Sequence, residues 1–169
     1  AENWLDQADK LRLTILERAT VANEGWISGA LDGAVADAST LVLPEIGFIS
    51  SHDERFVRTL EIIEKRLVRN GSVMRYDEAD DFGMPENAFL LCTFWYIDAL
   101  AKAGRRKEAR SLFENVLSCC NHVGLLSEDI DTKSRELWGN FPQTYSQVGL
   151  ILSAMRVSRT WEEGLWHAS

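Results

Sequence analysis

The chain has 169 residues, 46% of them hydrophobic and 26% charged, and a formal net charge of −8. That length supports one globular unit, residues 1–169, with a core of its own. The acidic balance argues against nucleic acid or an anionic membrane surface as the main partner, because phosphate recognition needs clustered Lys and Arg. No apolar run approaches the ~18 residues of a membrane span, and no signal peptide opens the chain.

Cys92, Cys119 and Cys120 sit in apolar helical contexts without metal spacing, which reads as buried, reduced thiols in a cytoplasmic protein. The sequence begins Ala1-Glu2-Asn3-Trp4, without an initiator Met, and runs straight into a helical pattern. That start reads as a processed or excised boundary.

Residues 3–22 place Trp4, Ala8, Leu11, Ile15 and Ala19 on one stripe at helical spacing, predicting an amphipathic helix with one buried side. Residues 23–36 carry three glycines and no clean period, and read as a loop. From Asp37 a short helix follows, apolar nearly all round and stopped or kinked by Pro44. Ser51 and Glu54 fit a capping box for an amphipathic helix over 52–69, with Phe56, Leu60, Ile63 and Leu67 inward and Gly71 just past its end. An acid-rich loop spans 70–85. Residues 86–103 are apolar on every face in the first three turns, predicting a buried helix that Gly104 ends. Residues 105–120 are amphipathic again, 121–142 form a third long loop, and 143–158 predict a last helix, apolar on most sides. The tail, with His167, reads as a loose end or a strap.

Amphipathic helices thus alternate with nearly all-apolar ones three times, at intervals close to fifty residues. An amphipathic helix suits an outer layer and an all-apolar helix an inner one. Links from inner to outer helices are short (47–51, then Gly104), and links from outer to inner are long. The predicted fold is therefore all-α, an α/α toroid of about six helices, with the three long loops at one end. Loops gathered on one end are where function concentrates.

The third loop is packed with carboxylates and aromatics: Glu128, Asp129, Asp131, Glu136, Trp138, Phe141 and Tyr145. A carboxylate beside flat rings suits sugar hydrolysis, since the acid can activate water and a ring can stack on a pyranose face. Spacing alone does not choose among Glu128, Asp129 and Asp131. The second loop offers Arg75-Tyr76-Asp77, Glu78, Asp80 and Asp81, then Glu86 and Asn87. These read as polar arms for sugar hydroxyls, as a solvated acidic turn, or as an aspartate-rich metal motif of the terpenoid-synthase kind. Trp26 and Trp138 read equally as sugar platforms or as loop anchors, and Trp95 reads as core. His52 and His122 have no ligand spacing, and no cofactor or metal is expected.

The segments ENAFLLCTFWYIDALAKAGRRKEARSLFENVL and GLLSEDIDTKSRELWGNFPQTYSQVGLI resemble the C-terminal half of the catalytic domain of glycoside hydrolase family 15. That family includes glucoamylases, glucodextranases and bacterial α,α-trehalases. LDGAVADASTLVLPEIGF and VMRYDEADDFGMPENAF are similar to its preceding blocks. The resemblance implies an (α/α)6 barrel of twelve helices, of which this chain would supply the last six. It implies inverting hydrolysis of α-glucosidic bonds in a disaccharide or oligosaccharide, with Glu128 as general base. Arg75 would hydrogen-bond the sugar at the cleavage point, with Glu86, Asn87 and Trp138 near the pocket. The family's general acid lies in a block upstream of Ala1, and Trp161-Glu162-Glu163 is not that block. The chain is therefore expected to be inactive alone and to self-associate or pair with the missing N-terminal half. A non-catalytic carbohydrate-binding or helical scaffold module is the alternative.

Overall fold

The computed structural model describes residues 2–79, 81 and 83–158. Asp80 and the tail from 159, with Trp161-Glu162-Glu163 and His167, lie outside the described residues. The chain is mostly helical, as its periodicity predicts. The α-helices are α1 (Glu2–Ala19), α2 (Glu54–Leu67), α3 (Leu90–Lys102), α4 (Arg106–Leu117) and α5 (Thr144–Ser158). The short apolar helix after Asp37 is a 3-10 helix, Ala38–Val42, whose first turn Asp37 caps by accepting from the Ser39 N–H.

Helix α3 is the hub. Its sequence is apolar on all sides, so it is covered on all sides: α4, α5, the 3-10 helix and the strand at 72–73 pack around it. Helix α4 presents Ala109, Phe113 and Val116, and α2 presents Phe56, Thr59, Leu60, Ile63 and Leu67, each along one stripe. Helix α5 turns small residues inward, Ser146, Gly149 and Ser153, which lets its backbone come close to Phe94 of α3. Its large apolar residues, Val148, Ile151, Leu152 and Met155, face outward and are exposed.

Local pattern and structure part company in four places. Of the predicted stripe of α1 only Ala19 is buried and Ile15 half-buried, with Leu16, off the stripe, buried beside them, while Trp4 and Leu11 are 78% and 61% exposed. Among the described residues, these side chains of the first turns stay uncovered. Helix α2 is capped by Asp53, not by Ser51; the Asp53 carboxylate accepts from the Arg55 N–H (2.9 Å), and the Ser51 hydroxyl instead donates to the carbonyl of Lys102 at the end of α3 (3.1 Å). Gly71 belongs to a hairpin, β1 (Val68–Arg69) with β2 (Ser72–Val73). Asn70 and Gly71 at its tip both have positive φ (49° and 81°), the geometry of a two-residue turn that favours Asn-Gly.

The fourth difference matters most for the site. Helix α3 starts at Leu90, four residues later than helical patterning predicts, because residues 88–89 are taken by a sheet. Strand β3 (Ala88–Phe89), β4 (Asp129–Ile130) and β5 (Leu137–Trp138) form an antiparallel sheet with β4 central. The pairs Phe89–Asp129–Trp138 lie on one face and Ala88–Ile130–Leu137 on the other, where Ala88 and Ile130 are buried.

Candidate active site

The three long connections meet around the N-terminal turn of α3. The first reaches the second through the Ala38 N–H, which donates to the Arg75 carbonyl (2.9 Å), and through the Asp37–Tyr76 bridge. The second is fixed to α3 by the Val73 N–H donating to the Thr93 hydroxyl (3.0 Å). The third joins through the sheet and through the Leu90 N–H, which donates to the carbonyl of Glu128 (3.0 Å).

Glu128 is half-buried, one residue before β4. The two residues before it are held by α5 and the residue that precedes that helix: the buried Ser146 hydroxyl donates to the Ser127 carbonyl (2.7 Å), and the Gln143 N–H donates to that of Leu126 (3.0 Å). From the side it is held by the segment after β5. Its N–H donates to the Asn140 carbonyl (2.9 Å), and its Oε2 accepts from Asn140 Nδ2 (2.8 Å) and the Asn140 N–H (3.3 Å). Gly139 makes that approach possible. It has φ of 78°, and a Cβ there would lie 3.1 Å from both Cβ and Oε2 of Glu128.

The three acids that spacing leaves undistinguished occupy three different environments. Asp131 shapes the β4–β5 turn, its carboxylate accepting from the Lys133 and Ser134 N–H groups (2.7 Å each), which hold it below the usual carboxylate range. Asp129 sits in the middle strand opposite Phe89 and Trp138; burial first, and the neighbouring Glu128 charge second, push its carboxyl up to about 6. Glu128 has its carboxylate held through Oε2 by Asn140, a residue twelve positions away, while among the described residues Oε1 accepts no hydrogen bond; the Oδ1 of Asp131 is held only by its own turn.

The other predicted site residues are distributed as follows. Arg75 is half-buried on the second loop, with its guanidinium paired to Asp37. Arg75 and Asp129 both lie close enough to Cys92, in the first turns of α3, to act on its thiol, which burial pushes up to about 12. Arg75 and the β4 strand therefore flank the same helix end. Glu86, exposed, and Asn87, half-buried, precede β3. Since Leu90 lies beside Glu128, the register puts Asn87 three residues away along the ladder, about 10 Å at ~3.3 Å per residue.

Trp138 is 52% exposed, and Phe141, after β5, and Tyr145, in the first turn of α5, are exposed as well. Trp26, by contrast, is an anchor: it is 2% exposed, its indole N–H donates to Glu24, and Arg66 lies over its ring. Trp95 is packed against the core. Asp77 is no solvated acid, since its carboxylate is paired with Arg66 at 2.7 and 2.9 Å. Glu78 and Asp81 are exposed. Among the described residues no three His, Cys, Asp or Glu side chains come together in a metal-ligand group. Asn140, Gly139 and Ser146 are the contributors that sequence reasoning missed; a Gly-polar pair after a strand is too common to single out.

The profile described as "Glycosyl hydrolases family 15" matches residues 1–155. The chain belongs to this family. A trehalase of Thermoplasma volcanium is 39% identical over 165 residues, 97% of this chain and 26% of that relative. A trehalase of Thermoplasma acidophilum is 43% identical over 126 residues, 74% of this chain and 22% of the relative. A Mycobacterium tuberculosis trehalase is 32% identical over 166 residues, 96% of this chain and 24% of the relative. The chain thus spans about a quarter of the length of these family 15 relatives. A solved glycosidase superposes with a TM-score of 0.77 at 20% identity, over 90% of this chain and 43% of that one, a likeness of fold. None of the described helices is long and apolar enough to cross a membrane.

Proposed function

We propose that this chain supplies the base-bearing half of an α-glucoside hydrolase of the trehalase kind, with Glu128 as the general base of an inverting reaction. The observation that carries the reading is the asymmetric hold on Glu128. One carboxylate oxygen is fixed by Asn140, and the other is left to meet a water at the end of the chain where all three long loops converge. In the reaction, Oε1 takes a proton from a water that attacks the anomeric carbon, while an acid on the other side of the sugar protonates the leaving oxygen. Such a pair is set roughly 6.5–9.5 Å apart, leaving room for the water. The acid comes from a segment outside these 169 residues.

In this reading Trp138, exposed on β5 opposite Asp129, stacks on a sugar face, and Arg75, Glu86 and Asn87 bind hydroxyls. The guanidinium of Arg75 reaches the sugar while keeping Asp37 as its structural partner.

The remaining half of an α/α toroid covers what this half leaves open. Val148, Ile151, Leu152 and Met155 on α5, and Trp4, Leu5, Leu11 and Leu13 on α1, are exposed large hydrophobic residues. Burying each fully is worth about 1.5–3 kcal/mol. The chain therefore pairs with the N-terminal half of its domain or, lacking it, self-associates. Light scattering after size exclusion tests this, and a dilute monomer with no tendency to associate contradicts it. The three free thiols suit a reducing cytoplasm.

Calorimetric titration separates the hydrolase half from the carbohydrate-binding alternative. A half-pocket binds glucose, maltose and trehalose weakly or not at all, whereas micromolar affinity in the chain alone supports a binding module.

A further inference from the structure

We propose that Asn140 is a positioning residue for Glu128, dividing the two oxygens of that carboxylate into one that is held and one that works. The inference rests on the reading of Glu128 as the general base. A free glutamate rotates about its last torsion, and its oxygens exchange roles. Here they cannot exchange without loss. Oε2 accepts from Asn140 Nδ2 at 2.8 Å and from the Asn140 N–H at 3.3 Å, and the Glu128 N–H returns a bond to the Asn140 carbonyl at 2.9 Å. Residues 128 and 140 are thus clamped by main chain as well as side chain. Gly139 brings the clamp in, because any larger residue there would have a Cβ 3.1 Å from Oε2.

The grip performs two functions a base needs. Donors on Oε2 satisfy that oxygen, and they fix the plane of the carboxylate so that Oε1 presents its lone pairs in one direction. The side-chain amide is the element that only Asn or Gln can supply, and Gln carries one methylene too many for the clamped backbone. The neighbouring carboxyl of Asp129, the first residue of β4, is raised by burial and then by the Glu128 charge beside it. Asp131 is engaged by its own turn.

Two measurements test this. In the 169-residue chain, the Asn140 side-chain amide resonances are followed by NMR from about pH 3 to pH 7, spanning the carboxylate range. They should shift through one carboxylate titration that persists in Asp129→Asn and disappears in Glu128→Gln. Resonances that do not titrate, or that titrate unchanged in Glu128→Gln, overturn the proposal.

In the hydrolase assembled with the acid-bearing half, Asn140→Ala should lower kcat about 10–100-fold with KM within about threefold, the range seen when a group orienting a functional ligand is removed. Asn140→Asp should recover activity relative to the unsubstituted enzyme as the pH falls, because only the protonated carboxyl can donate to Oε2. A raised KM with unchanged kcat, or an Asn140→Asp profile parallel to that of the unsubstituted enzyme, assigns Asn140 to substrate or to structure and refutes positioning. An unsubstituted assembly that hydrolyses nothing overturns the functional reading and with it the purpose of the grip, while the resonances still report the grip itself.

Discussion

Gly149 gives the most quantitative test of how the site is supported. Its inner side has no room. A Cβ there would come within 2.6 Å of Cδ2, 2.8 Å of Cγ and 2.9 Å of Cβ of Phe94. Phe94 is 1% exposed and cannot swing aside. Replacing a mid-helix glycine by alanine gains about 0.5–1 kcal/mol of helix propensity. Against that, overpacking costs about 1–3 kcal/mol, and contacts this far inside the ordinary carbon separation of about 3.5–4.0 Å belong to the upper part of the range. Gly149→Ala should therefore destabilise the chain by about 1–2 kcal/mol. At about 2–4 °C per kcal/mol for a chain of this size, the melting temperature should fall by several degrees. Urea unfolding with an unchanged slope measures it. Adding Phe94→Leu should cost less in the Gly149→Ala background than alone, since the two side chains then share one space. A Gly149→Ala variant as stable as the parent, or more so, refutes the close approach of α5 to α3.

Further outcomes follow from the same geometry. Ser146→Ala removes the buried hydroxyl that holds the Ser127 carbonyl and should cost about 1–2 kcal/mol by denaturant unfolding, with Glu128 its near neighbour in the chain; no loss contradicts the anchor. Asp129 has its folded-state value raised to about 6, from 3.8, so its ionisation opposes folding. The penalty is absent below about pH 4, grows as the pH rises, and is complete above about pH 6. After discounting for its partial exposure, Asp129→Asn should stabilise by about 1–2 kcal/mol at neutral pH and by little at pH 4; a difference that does not change with pH contradicts this. Asp53→Ala should cost about 1 kcal/mol through loss of the α2 cap, whereas Ser51→Ala should leave that cap intact.

Much of the architecture is legible in the pattern of residues. The inward stripe of α2 is where a 3.6-residue period puts it, that of α4 holds at Ala109, Phe113 and Val116 while Leu117, expected inward as well, is exposed, and α3 is covered because it is apolar all round. What periodicity does not carry is pairing between distant segments. Glu86 to Phe89 read as the start of a helix, yet residues 129–130 claim Ala88 and Phe89 for a sheet. Composition also misjudges α5: its most apolar residues face outward, and its contacts with α3 are made by Ser146, Gly149 and Ser153. The Asn70-Gly71 hairpin is different, because its turn signal is visible in the sequence and simply outweighed by the acid-rich stretch after it. In the site, the crowd of carboxylates is legible and their division of labour is not. Burial sets Asp129 apart, and the hydrogen-bond partners separate Asp131, engaged by its own turn, from Glu128, held by the distant Asn140.

The account stands most directly on Glu128→Gln, a change that keeps size and hydrogen-bonding shape while removing the base. The measurement is the hydrolysis rate of trehalose, with maltose and isomaltose alongside, by the chain combined with the acid-bearing half of a family 15 domain. The unsubstituted combination should turn over, and Glu128→Gln should be slower by a factor of about 10²–10⁴, the usual contribution of a general base, with unchanged folding by circular dichroism. Near-normal hydrolysis by Glu128→Gln contradicts the assignment of Glu128 as the base.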